Sequence, residues 1–244
     1  MRFDIVTIFP EAFESYLSVS ILKRAQAKKL ISVHFHNPRD FSDNKYKSVD
    51  DKPYGGGAGM VMRAEPILKA VSALRKFKNP ASSASWRISA GRQKSKCKII
   101  VLSAKGKQFN QKLAYDWSKK YDQLILISGR YEGVDERVQL ALKAEEVSIG
   151  PYVLTDGEVA SMVVISAVSR LIPGVIRLES LAEESHWNLL LKKEKDASRG
   201  TGLEYPHYTR PEVLVYKGKK LRVPEVLISG DHKKISAWRR GHRK

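Results

Sequence analysis

Glycine-bearing turns are the first features of this sequence that could do chemistry. Three short segments follow apolar runs: Ser103-Ala104-Lys105-Gly106, Ser128-Gly129-Arg130-Tyr131-Glu132-Gly133 and Ser148-Ile149-Gly150-Pro151-Tyr152-Val153-Leu154. Glycine has no Cβ, so backbone at such turns can approach a ligand closely. If the preceding runs form neighbouring strands, the turns converge at one sheet edge. Backbone donors and acceptors there, flanked by Leu102, Ile149 and Leu154, would hold a purine ring. Taken singly, each is an ordinary turn. A fourth run, Gly55-Gly56-Gly57-Ala58-Gly59, is denser but says less on its own. No Lys-Ser or Lys-Thr follows it, which excludes a P-loop, and Met60 stands where a dinucleotide fingerprint needs glycine. Polar residues 50–54 precede it instead of a buried strand, so spacing alone makes it a flexible turn.

The segments that must position these turns alternate in type. Residues 3–9, 31–35, 99–102 and 124–128 are short apolar stretches that read as strands, and 147–155 is strand-like around Gly150-Pro151. Residues 21–30, 65–77, 111–120, 135–143 and 158–171 carry helical spacing. This alternation predicts an α/β fold with a largely parallel sheet, whose ligands bind at the carboxyl ends of the strands. Residues 37–59 read as a long loop and 78–98 as a flexible insertion. Beyond Pro173-Gly174 a polar linker extends to about residue 203, followed by a short basic tail in which Asp231 can cap a final helix.

The charge balance points to a polyanion. Lys and Arg total 44 against 26 acids, a net charge of +18. A surplus of that size predicts nucleic-acid binding that weakens as salt rises. The single cysteine, Cys97, excludes an intramolecular disulfide and a cysteine metal cluster, and reads as the edge of a buried strand. No signal peptide and no apolar stretch of membrane-spanning length is present, so a cytoplasmic protein without a membrane partner is expected.

Five longer motifs make the expectation specific. They are Tyr54 to Met60, Gly129 to Arg137, Ser148 to Leu154, Val168-Ser169-Arg170-Leu171-Ile172-Pro173-Gly174-Val175 and Tyr205-Pro206-His207-Tyr208-Thr209-Arg210-Pro211. In order and spacing, from Arg2 to about Arg240, they resemble the bacterial tRNA (guanine-N1)-methyltransferases. That resemblance implies the SPOUT superfamily, a parallel α/β domain with a deep C-terminal trefoil knot, an exception to the rule that chains do not thread themselves. Residues 1–176 would be the knotted catalytic domain, 177–203 an interdomain linker and 204–244 an abbreviated tRNA-binding region, short, basic and helical. The resemblance also implies a homodimer with the active site at the subunit interface, S-adenosylmethionine as methyl donor, and guanine 37 of tRNA, just 3′ of the anticodon, as target. The cofactor positions carried over are Leu102, Ser103, Gly129, Tyr131, Glu132, Ser148, Ile149, Gly150, Pro151, Tyr152, Val153, Leu154 and Gly157. Help from magnesium is implied too, without an assigned site and without a protein metal ligand.

Guanine N1 carries a proton at neutral pH, so methylation there needs a base near N1, a donor for charge growing on O6, and a methyl group held in line. By the resemblance Arg170 is the catalytic arginine; a helix C-terminal cation is its plainer alternative. The base is read from Ala182-Glu183-Glu184-Ser185-His186-Trp187. Placing Glu184 before Ser185 makes Glu184 the base where the family has aspartate, whereas a gapless alignment puts Ser185 at that position. The chain also departs from the family pattern at Pro151, commonly aspartate, and Asp156, commonly glycine. A related enzyme acting on ribosomal RNA, or an RNA-binding protein without turnover, are the competing readings.

Overall fold

A computed structural model describes residues 1–76, 96–177 and 205–242. Glu184, Glu183, Ser185 and the rest of the linker beyond Arg177 lie outside the described residues. The chain divides into two compact units, Met1–Arg177 and Leu178–Lys244.

The first unit is built on five strands: β1 (Arg2–Val6), β2 (Ser32–His36), β5 (Cys97–Gln108), β6 (Gln123–Ser128) and β7 (Glu145–Ser148). They pair in parallel in the order β2-β1-β6-β5-β7. Strands covered on both faces read as continuous apolar runs, which is why Ile99 to Leu102 and Leu124 to Ile127 show no alternation. One face carries Val6, Val101, Ile125 and Ile127 and packs with Ile67, Val71 and Leu74 of helix α3 (Ala64–Lys76) and Val138 and Leu142 of α5 (Glu136–Leu142). The other presents Phe3, Ile5, Ile100, Leu124 and Leu126, all buried. Helix α6 (Gly157–Ser169) touches β5, β6 and α4 (Gln111–Lys120). Helices α1 (Glu14–Leu17) and α2 (Ser20–Ala27) connect β1 to β2.

Local caps set the helix starts. Asn110 accepts the Leu113 N–H at 3.0 Å, Asp135 the Arg137 N–H at 2.9 Å and Asp156 the Val159 N–H at 3.0 Å. The segment 37–59 is less irregular than expected. It holds a 3-10 turn (Pro38–Phe41), and β3 (Asp50–Asp51) pairs antiparallel with β4 (Val61–Met62). The strand-like reading of 147–155 is corrected: β7 stops at Ser148. Pro151 has no N–H for a ladder, and the Ser148 hydroxyl donates to Gly150 O at 2.8 Å, turning the chain. Cys97 opens β5 and is exposed.

The second unit is not only helical. Strands β8 (Val213–Tyr216) and β9 (Lys219–Arg222) form an antiparallel ribbon, closed by Lys217 and Gly218, both at positive φ as a two-residue hairpin turn requires. Short helix α7 (Glu225–Ile228) and basic helix α8 (His232–Gly241) follow. Asp231 caps α8 through the N–H groups of Lys233 and Lys234. The Trp238 and His242 rings stack at 4.2 Å, and the Arg239 guanidinium lies over Tyr205 at 4.9 Å. Among the described residues no helix is long and apolar enough to cross a membrane.

Candidate active site

Because β6, β5 and β7 are adjacent and parallel, the three glycine-bearing turns emerge side by side at one sheet edge. The first turn is an arch within β5. Leu102 and Lys107 both pair with Val147, so the residues between them stand out of the ladder. Gly106 closes the arch where a Cβ would sit 2.4 Å from Val147 N. In the second turn Tyr131 takes φ 58° and Gly133 φ 124°. The third folds on itself: the Tyr152 ring covers Gly150, and its hydroxyl donates to Ile149 O at 3.3 Å.

The dense glycine run belongs to this edge as well, which its spacing did not indicate. Met60 O accepts the Glu132 N–H at 3.0 Å, and Met62 N–H donates to Gly133 O at 2.9 Å. A Cβ on Gly59 would lie 2.5 Å from Glu132 Oε1. Gly55 and Gly56 meet open space, so only the far end of the run is held tightly.

Beneath the turns lies a buried polar junction. Glu158 sits in the first turn of α6 and is 1% exposed. Its Oε1 accepts the Thr7 hydroxyl at 2.6 Å, and its Oε2 lies 2.9 Å from Arg130 Nε, as an ion pair not aligned as a hydrogen bond. Arg130 also covers the Phe9 ring at 4.4 Å. Burial pushes the Glu158 carboxyl above the ordinary glutamate range, against the opposing pull of Thr7 and Arg130. Next to it, Gly157 N–H donates to Gly129 O at 2.9 Å, and a Cβ there would lie 2.5 Å from Gly129 N. Asp156 caps α6. Burial alone would raise its carboxyl, but the Val159 N–H, the Thr155 hydroxyl and the Arg130 charge hold it low.

The structure therefore gathers the cofactor positions drawn from the sequence at one edge. Leu102 is buried in β5 just before the arch and Ser148 at the end of β7, Ser103, Gly129 and Ile149 are half-buried, Gly150 and Gly157 are packed against backbone and side chain, and Tyr131, Glu132, Pro151, Tyr152, Val153 and Leu154 are exposed. Val153 is 83% exposed and Leu154 37%, so apolar side chains stand open around backbone polar groups, a surface that fits an adenosine. Arg170 is elsewhere. It is the C-cap of α6, a helix of 13 residues and so roughly 20 Å long, with the turns at its other end. Just beyond it Gly174 lies against Leu30, ahead of β2. Among the described residues no group of three or more His, Cys, Asp or Glu side chains could hold a metal ion.

Sequence reading missed Thr7, Phe9 and the role of Glu158. The available signal was one acid in an otherwise uncharged helix, Gly157–Ser169.

The comparisons with known proteins agree with one another. The family model described as tRNA (Guanine-1)-methyltransferase TrmD matches residues 1–244. A tRNA (guanine-N(1)-)-methyltransferase of Carboxydothermus hydrogenoformans is 48% identical over 240 residues, covering 98% of this chain and 81% of the relative. One of Chloroflexus aggregans is 46% identical over 243 residues, covering 100% and 83%. One of Clostridioides difficile is 46% identical over 243 residues, covering 98% and 91%. With a glycine-lined strand edge, a buried junction beneath it and likeness along its whole length, the chain belongs to the tRNA (guanine-N1)-methyltransferase family.

Proposed function

We propose that this chain methylates guanine 37 of tRNA at N1, using S-adenosylmethionine, as a knotted homodimer whose active site is shared between subunits. Methyl transfer to guanine N1 of tRNA follows from family membership. The observation that carries the finer reading is the convergence of three turns from adjacent parallel strands. Residues Leu102, Ser103, Gly129, Tyr131, Glu132, Gly157 and 148–154 would hold the cofactor, with backbone groups reading the purine and Leu102 and Leu154 flanking it. When bound, S-adenosylmethionine supplies a methyl group on a positive sulfur. The chain's own part is to orient guanine, take the N1 proton and balance charge on O6. Arg170 would take the last role, and Glu184 in the linker the proton, with magnesium assisting at no assigned site.

Two features support a shared site. Arg170 stands at the end of α6 remote from its own chain's turns, so a second copy is the natural source of the turns it serves. Helix α6 also leaves Val159 and Val163 exposed, and it abuts the 3-10 turn Pro10–Phe13, near exposed Phe9 and Tyr16. Together these make an apolar face a partner could cover. The tuck of Gly157 behind Ser128 supports a knotted crossing there. A net charge of +18 and basic α8 suit tRNA. A cytoplasmic location is in keeping with that substrate.

The test is methyl transfer from labelled S-adenosylmethionine to an unmodified tRNA transcript with guanine at position 37 and to one with adenine there. Label in the first alone, recovered as 1-methylguanosine, is expected; label in neither would leave an RNA-binding protein. Arg170→Ala should lower kcat by roughly 100-fold or more, the scale of a lost transition-state donor, with cofactor affinity kept.

A further inference from the structure

We propose that Glu158 is a positioning residue for the methyl-transfer site: through Arg130 it holds the turn Gly129–Gly133 in its ligand-ready shape. This rests on the cofactor reading above and adds a residue that reading does not contain.

The geometry is that of a junction among three elements. Thr7 leaves the end of β1, Arg130 lies in the turn after β6, and Glu158 opens α6. Thr7 Oγ1 donates to Glu158 and also accepts the Phe9 N–H at 3.0 Å, so the exit of β1 is fixed to the carboxylate. Arg130 is held between that carboxylate and the Phe9 ring. The next residue, Tyr131, sits in the left-handed region at φ 58°, a conformation that non-glycine residues keep only when their surroundings enforce it. On its far side the turn is pinned by Glu132 N–H to Met60 O and by the Gly133 N–H to Arg130 O at 3.0 Å. Arg130 is the near anchor, and Glu158 is the group that fixes Arg130.

The junction is not an ordinary structural salt bridge. A buried charge normally persists where several aligned hydrogen bonds satisfy it. Among the described residues Glu158 has one aligned side-chain bond, from Thr7, and an unaligned ion pair. Burial raises its carboxyl, so in the fold the ionised form is disfavoured relative to the unfolded chain. Glu158→Gln keeps the size and can keep the Thr7 bond while releasing Arg130, whose side chain is 24% exposed and can be hydrated. A residue kept for stability would lower the melting temperature when neutralised. A residue kept to position the turn would raise KM for the cofactor instead.

The experiment uses the full chain, with S-adenosylmethionine binding by calorimetry, methyl-transfer kinetics on a tRNA transcript, and thermal melts. For Glu158→Gln the expected result is a KM and Kd for S-adenosylmethionine raised roughly tenfold, the scale of a turn that must be ordered on binding, with kcat little changed at saturation and a melting temperature no lower than wild type. Arg130→Met should give a similar rise, and the double variant no more than either alone. Unchanged cofactor affinity in Glu158→Gln, or additive effects in the double variant, would overturn the proposal. If Glu158→Gln does not fold, Arg130→Met alone decides, an unchanged KM being the overturning result. A wild-type chain that binds no S-adenosylmethionine would sink the cofactor reading itself, and this proposal with it.

Discussion

Strand β1 serves two buried carboxylates, Asp4 within the strand and Glu158 just past its end, and they are treated differently. Asp4 is fully buried and receives Arg2 Nε at 2.7 Å, Arg2 Nη2 at 2.6 Å, His36 Nε2 at 2.8 Å and Gln123 Nε2 at 2.7 Å. Burial alone would raise it, yet His36, Arg2 and Gln123 together hold it at about 2. Glu158, just past the carboxyl end of β1, has Thr7 and a poorly aligned Arg130 and is shifted upward. The first cluster ties β1, β2 and β6 together away from the glycine-bearing turns. The second lies directly beneath them. Saturated bonding marks a group kept for the fold, and sparse bonding marks one whose partner has further work.

The sharpest way to break this contrast is Asp4→Asn. An amide facing Arg2, His36 and Gln123 leaves donors opposed, and a loss of about 3–5 kcal/mol in unfolding free energy is expected by denaturant titration. Cofactor affinity of the folded fraction should stay unchanged. Acid titration tests the same group. A carboxyl lowered from 3.8 to about 2 contributes stability that is present above the unfolded value and lost as pH falls toward the folded one. About 2 kcal/mol should therefore disappear between pH 4 and 2, because each tenfold change in proton affinity is worth roughly 1.4 kcal/mol. Glu158 has the opposite sign, so its ionisation costs stability as pH rises past the ordinary carboxylate range. A melt series in which Asp4→Asn keeps the full acid loss would undo the comparison.

Gly157→Ala is next in size. Its Cβ would meet Gly129 N at 2.5 Å and Ser128 Cα at 2.8 Å, backbone that cannot step aside. About 2 kcal/mol of stability should go, a usual cost of overpacking, together with weaker S-adenosylmethionine binding. Stability lost with affinity intact would separate the turn from the α6 start. The smallest effect belongs to Asp156→Ala, which removes the α6 cap and should cost about 1 kcal/mol in a melt.

What could be read from the sequence follows the range of the forces involved. Helix Gln111–Lys120 was legible to the residue, because its apolar period is a local feature. The alternation of strands and helices, and the glycines that follow three apolar runs, were legible for the same reason, whereas the resumption of β5 beyond Gly106 was not. The end of β7 was not, because Val153 and Leu154 look like strand residues until Pro151 and the Ser148 hydroxyl turn the chain. Strands β8 and β9 were hidden by their shortness and by a Lys-Gly turn in place of Asn-Gly. The Thr7–Glu158 bond joins residues 151 positions apart. No periodicity records such a pair, so the polar junction under the site emerged only from the fold.

The β8–β9 ribbon has a consequence for handling the protein. Leu214, Val215, Tyr216 and Leu221 are exposed on a sheet that, among the described residues, has two strands, each with an open edge. Such edges recruit further strands unless charge discourages them. Here Lys217, Lys219, Lys220 and Arg222 supply that charge. Chemical acetylation of lysines, or a polyanion present in less than the amount needed to coat the ribbon, would strip away the repulsion and invite edge-to-edge aggregation. Colloidal behaviour would then report on this small hairpin well before the larger sheet is disturbed.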